Sequence, residues 1–237
     1  MNRLLTATIL ATAPLLFAVS ASAFTEFDTG VIGGNPSSSL IGVHVTTADV
    51  GDSFDIDWLV DSSVLGTSDQ LSATGTYTVS SFSTTKIILD VTLENTTLLS
   101  STLTNADILS TGFGVSPDAT ATLLTAGGVF DSIGSGNGPQ QTFPGGFKEI
   151  DVCVFAQGCS GGSVNSGLHA GDMDSFSIEL AGDFSSGEVD LLYFPIKFQT
   201  NIGSFEPGGF QGAVPEPTSA LLFGVGALVV GFRSRRR

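Results

Sequence analysis

The chain has 237 residues, is 41% hydrophobic, and carries eight basic against 23 acidic side chains, for a formal charge of −15. All five arginines stand near the two ends (Arg3, Arg233, Arg235, Arg236 and Arg237), so residues 24–213 hold only Lys86, Lys148 and Lys197 against 22 acidic residues, a formal balance of −19. Such a field repels phosphate backbones and anionic lipid, which excludes nucleic acid as a partner. Regularly placed aliphatic and aromatic residues over that length fill one core and exclude disorder.

In chain order, Met1 to Arg3 is a short positive region and Leu4 to Val19 an apolar stretch, followed by the A-x-A site Ala21-Ser22-Ala23. This order predicts a signal peptide over 1–23, export, and cleavage by signal peptidase before Phe24. Pro14 inside the apolar stretch argues against a permanent anchor there.

The body, 24–202, reads mostly with period two. In Phe54-Asp55-Ile56-Asp57-Trp58-Leu59-Val60-Asp61 the large apolar residues share one parity and the aspartates the other, as a half-buried strand requires. Leu71, Ala73, Gly75, Tyr77 and Val79 alternate with Ser and Thr, and Ile87, Leu89, Val91 and Leu93 follow after a polar connection, Ser80 to Thr85, so these two segments predict an antiparallel hairpin. Further strands are expected over 108–115, 128–133, 149–156, 176–180 and 191–202, the last with Pro195 marking an edge position or a bulge. Gly134 to Gly146 predicts a long loop, and Gly203 to Ala213 a flexible stalk. Many short strands between Gly, Ser, Asn and Pro clusters predict an all-β antiparallel sandwich of Greek-key or jelly-roll type. An outer-membrane barrel is the rival. It demands a lipid-facing apolar parity, whereas the outward parity here is Asp, Ser and Thr.

The last 24 residues differ from everything before them: Val214-Pro215-Glu216-Pro217, an apolar run, then Arg233-Ser234-Arg235-Arg236-Arg237. The prolines hold an extended segment that helix cannot enter from behind. The run from Thr218 to Phe232 reaches only about 22 Å as a helix against a hydrocarbon core of roughly 30 Å, and the arginines can snorkel and keep their end cytoplasmic. This tripartite tail resembles the PEP-CTERM sorting signal. The resemblance implies Val214 to Pro217 as the sorting motif and exosortase, a membrane-embedded transpeptidase-like protease, as partner. It also implies Arg233, Arg235, Arg236 and Arg237 as a membrane stop, an inner-membrane-anchored precursor, and a Gram-negative host that makes exopolysaccharide. A buried helix with a basic end is the plainer alternative.

Two cysteines stand close together, Cys153 on an expected strand and Cys159 just beyond it. In an exported protein such a pair is expected to form a disulfide, closing a small loop worth roughly 2 kcal/mol. Zinc needs four ligands, and with only His44 and His169 to add, no metal site and no cofactor are expected. The body also resembles the cistern family of PEP-CTERM proteins at Val152-Cys153, Cys159-Ser160-Gly161-Gly162, Gly167 to Gly171, Asp174 to Leu180, Phe194 to Gln199 and Gly203-Ser204. That resemblance implies a shared fold and disulfide loop and no catalytic residue.

Three weaker signals complete the chain. Gly158-Cys159-Ser160-Gly161-Gly162 satisfies G-x-S-x-G, but a nucleophile elbow needs a helix after it, which Ser163 to Gly167 will not make. Asp49, Asp52, Asp55, Asp57 and Asp61, with Asp172 and Asp174, could supply oxygen ligands to calcium if folding gathered them; a solvated outward face is the plainer expectation. Asn95-Thr96-Thr97 is a lone glycosylation sequon. The expected function is an exported, exosortase-sorted structural or interaction protein of the envelope or extracellular matrix, without catalysis. A carbohydrate-binding module of the exopolysaccharide matrix is the alternative, and a secreted hydrolase the second.

Overall fold

A computed structural model describes residues 24–29, 40–135, 143–147 and 150–211. The expected signal peptide and the sorting segment 214–237 lie outside the described residues. Among the described residues, alternation of apolar and polar side chains yields strands in chain order: β1 (Thr25–Asp28), β2 (Ile41–Thr46), β3 (Ser53–Val60), β4 (Leu71–Phe82), β5 (Lys86–Glu94), β6 (Ala106–Ser116) and β7 (Ala119–Thr125). There follow β8 (Ser132–Ser135), β9 (Val152–Phe155), β10 (Met173–Gly182), β11 (Glu188–Leu192), β12 (Ile196–Thr200), β13 (Ser204–Phe205) and β14 (Phe210–Gln211). Helix is confined to single turns at Thr47–Asp49, Ser62–Leu65 and Val164–Ser166.

Every strand pairing is antiparallel, and the strands form two sheets. One sheet runs β14-β3-β4-β5-β10-β7. In the other, β6 pairs with β9 along one edge and with β11 and β12, laid end to end, along the other; β2 and then β1 lie beyond β11. The inward parity of both sheets meets in one core, where Ile56, Trp58, Tyr77, Leu89, Val91, Val43, Val45, Ile108 and Phe198 are all buried. The opposite parity of β3, β4, β5 and β10 carries Asp, Ser and Thr, which hydrogen-bond across strands: Thr76 to Asp55 at 2.7 Å, Ser53 with Thr78 at 2.8 Å and Thr92 with Ser175 at 2.9 Å. The expected hairpin is β4–β5, with Tyr77 opposite Val91; β4 runs on to Phe82, so the connection is shorter than the polar run suggests.

Three expectations need correction. Residues 127–131 form a turn rather than a strand, because Asp174 draws in the backbone N–H groups of Gly128, Val129 and Phe130 at 2.8–2.9 Å, and β8 starts only at Ser132. The segment 191–202 is two strands, broken where Tyr193 (φ 73°) and Phe194 (φ 42°) adopt left-handed backbone ahead of Pro195. Bulky residues in that region cost of order 1–2 kcal/mol each, so the surroundings must hold them. Trp58 Nε1–H donates to Phe194 O at 2.6 Å, Tyr193 N–H donates to Ile41 O at 2.9 Å, and Gly112 N–H donates to Pro195 O at 3.0 Å. The Phe194 ring meets Phe54 and Tyr77 edge-on at 6.0 and 5.4 Å. Finally, the segment expected as a stalk is folded as far as Gln211. β13 pairs with β12, β14 pairs with β3, and Lys197, 6% exposed, reaches Glu206 at 2.6 Å. β1, β2 and β7 are strands that the sequence pattern did not announce.

Candidate functional site

Of the residues singled out for sorting and processing, Val214, Pro215, Glu216, Pro217, Arg233, Arg235, Arg236, Arg237, Ala21 and Ala23 all lie outside the described residues. Phe24 lies within them, its ring edge-on to Phe54 at 5.0 Å and packed on the core. Cys153, fully buried on β9, and Cys159 stand at disulfide distance with Cα atoms 6.0 Å apart. Ser110 Oγ on β6 donates to Cys159 O at 3.0 Å, which seats the loop.

The acidic set does not converge, and among the described residues no group of three or more His, Cys, Asp or Glu is placed to hold a metal ion. Three of its members have local work instead. Asp49 closes a capping box with Thr46, Asp55 accepts from Thr76, and Asp174 ties down the 127–131 turn. Partial burial pushes the Asp174 carboxyl up, but the N–H groups of Phe130, Val129, Gly128 and Ser175 outweigh it and hold the carboxyl below the usual range. The sequon asparagine is fully buried. Asn95 Nδ2 donates to Ala106 O at 2.8 Å and Leu168 O at 2.9 Å, so in the folded chain it is a structural bracket and no glycan acceptor.

His169 and Ser160 belong to one long loop after β9. No helix follows the G-x-S-x-G turn, only the single turn Val164–Ser166. His169 instead sets Nδ1 2.9 Å from Asp107 Oδ2 on β6; the aspartate is 2% exposed and the histidine 56%. Reciprocal backbone bonds between Ile108 and Leu168, at 2.9 and 3.0 Å, dock the loop, and a Cβ on Gly167 would lie 2.4 Å from Ile108 O. Burial pushes Asp107 up despite its bond to His169. The hydrogen bond from its ring to Asp107, with the charges of Asp107 and Asp172, raises His169.

A second histidine–carboxylate group occupies an open cleft of about 210 Å³ on the same sheet, where β2, β11 and β6 adjoin, lined by His44, Ser116, Pro117, Ser186, Glu188 and Asp190. Register builds it. Thr25, His44, Asp190 and Ser116 are successive partners across β1, β2, β11 and β6, so their side chains rise in one row. His44 Nδ1 is 2.7 Å from Asp190 Oδ1, and Nε2 is 3.5 Å from Glu188 Oε2. One row along, Phe27 lies over Gly42, where a Cβ would meet the ring at 2.4 Å, and keeps 37% of its surface exposed. His44 lies on a strand that no sequence pattern announced, and the alternation Glu188-Val189-Asp190 was the available sign that two carboxylates share one strand face.

The described body is thus an all-β sandwich with two histidine–carboxylate groups, in a chain of acidic composition. Residues 213–237 match the family described as the PEP-CTERM protein-sorting motif, so the chain is a PEP-CTERM sorting domain-containing protein, targeted to exosortase. No curated protein and no solved structure matches the chain. Among the described residues no helix is long and apolar enough to cross a membrane.

Proposed function

We propose that this chain is a structural or interaction protein of the bacterial envelope or extracellular matrix, made as an inner-membrane-anchored precursor and released to the surface by its sorting signal, without catalysis of its own. The observation that carries this reading is the sorting motif at 213–237 behind an acidic sandwich. The resemblance to cistern proteins implies a shared fold and disulfide loop and adds no catalytic residue; its scattered segments include β9, β10, β12 and the loop docked on β6. The chain crosses between sheets at β2–β3, β5–β6, β6–β7, β7–β8, β9–β10, β10–β11 and β13–β14, which favours a Greek-key arrangement. Against a hydrolase stands the elbow itself, Gly158 to Gly162, which is followed by a single turn and no helix.

The test is intact mass of the mature form from an exosortase-bearing host. Loss of a C-terminal fragment containing the arginines is expected, and replacing Glu216 or Pro217 should leave a full-length, membrane-held precursor. A mature product that retains Arg237 refutes the reading. Cleavage before Phe24 is read from the same spectrum. The rival reading, a carbohydrate-binding module, is favoured by one feature, the His44 cleft.

A further inference from the structure

The first and last strands of the described body point to the same end of it. β1 lies antiparallel to β2 with Thr25 opposite His44, so read backwards through Phe24 it heads for Thr46, where β2 ends. β14 lies antiparallel to β3 with Gln211 opposite Ile56, so read forwards it heads for Ser53, where β3 begins. One short turn, residues 47–52, joins those two strand ends and bridges the two sheets. The Phe24 ring meets Phe54 at 5.0 Å across the same gap. Entry to the sandwich and exit from it are therefore neighbours.

Hydrogen bonds brace this end into a platform. Thr47 N–H donates to Gly187 O at 3.1 Å, Gly51 N–H to Val79 O at 2.8 Å, and Phe184 N–H to Thr84 O at 2.8 Å, which ties together the β2–β3 turn, the β4–β5 hairpin and the β10–β11 loop. The opposite end carries the exposed apolar side chains Val64, Leu98, Leu99 and Met173, past the ends of β3 and β5 and at the start of β10. Only Gly212, Ala213 and Val214 separate Gln211 from Pro215. A membrane-embedded protease that reads the matched segment 213–237 thus works beside the platform and far from the apolar end. Two surfaces meet the body there, lipid and protease, and chemistry selects between them. Adhesion to lipid draws on an apolar face or a basic cluster. In residues 47–52, 83–85 and 183–187 Val50 is the one large apolar side chain left exposed, and the adjoining Lys86 is engaged by Glu179 at 2.8 Å. A braced surface of backbone and hydroxyl groups suits a protein face, since little of it has to be ordered on contact.

We propose that this platform is the surface by which the folded body docks on exosortase while the sorting motif is cut. The inference rests on the sorting reading and adds to it a second contact, made by folded residues remote from the motif in sequence. Docking holds the body in one orientation and turns its apolar end away from the protease.

The test uses the full-length precursor in an exosortase-bearing host, with a photo-crosslinking benzoylphenylalanine replacing one exposed side chain: Ala48 or Val50 on the platform, Val64 or Leu98 at the far end. Adducts with exosortase are expected from the two platform positions and are expected to be lost at the far positions. Ala48→Glu combined with Val50→Glu should lengthen the lifetime of the precursor about fivefold or more, as burial of an unpaired polar group requires. Val64→Glu combined with Leu98→Glu should leave it within about twofold, as for ordinary surface changes. Thermal melts of each purified precursor in detergent verify that its body is folded. No exosortase adduct from Ala48 or Val50 in a precursor that is being cut, or equal yields from both ends, overturns the docking surface. Adducts from Val50 to phospholipid alone overturn it too and give the platform to the bilayer. Failure of the sorting reading is read separately, from unaltered chain that keeps its C-terminal arginines.

Discussion

The two histidines make an instructive pair, because the same two residue types do opposite things in the two places. At β6 the carboxylate is buried and the imidazole covers it from outside: Asp107 is 2% exposed, and its partner arrives on a docked loop. On β2 the imidazole and both carboxylates are all open to solvent at 31–58% exposure. A buried charge must be matched for the fold to form, whereas an exposed pair contributes little to stability and is available to a ligand. Burial of the carboxylate, and not the identity of the pair, separates structural use from binding use.

That contrast can be broken by substitution. The largest effect is expected for His169→Ala, which strips Asp107 of its imidazole partner; a loss of about 1–3 kcal/mol should appear in denaturant unfolding. Next is pH. His169 is raised by Asp107, so its contribution is complete below its ordinary value near 6.5 and is lost as pH climbs through the folded value. Asp107, raised by burial, acts in the same direction, favouring the fold while protonated and losing that as pH rises. Stability should therefore decline from mildly acid toward alkaline pH, and His169→Ala should flatten the decline above pH 6.5. Asp174 runs the other way. Its lowered carboxyl stabilises above about pH 4 and fails as acid protonates it, so Asp174→Asn should cost about 1 kcal/mol at neutral pH and less in acid, read by thermal melts at two pH values. Smallest is Glu188→Gln, expected within about 0.5 kcal/mol of the parent. A large loss there would erase the distinction between the two regions.

Period-two alternation makes β3, β4, β5 and β10 legible in the sequence, because each of them buries one parity along its length, whereas β6 is buried on both faces. The histidine groups are not legible in the same way. His44 and Asp190 are 146 positions apart and His169 and Asp107 are 62 apart, so only the strand order brings them together. The disulfide was readable because its partners are six residues apart in a chain marked for export. The stretch 203–211 misleads for a physical reason. Pro207, Gly208 and Gly209 read as linker, yet the glycines are there for close approach, since a Cβ on Gly208 would meet the side chain of Leu40 at 2.1 Å. β13 and β14 are two residues each, too short to show a period.

Folding of that stretch changes the mechanics of sorting. β14 ends at Gln211 beside β3, and only four steps of chain lead from there to Pro215. Fully extended, four residues reach about 14 Å. The tether between the last strand and the sorting motif is therefore at most about 14 Å long, and any protease that reads Pro215-Glu216-Pro217 must work within that distance of a folded body.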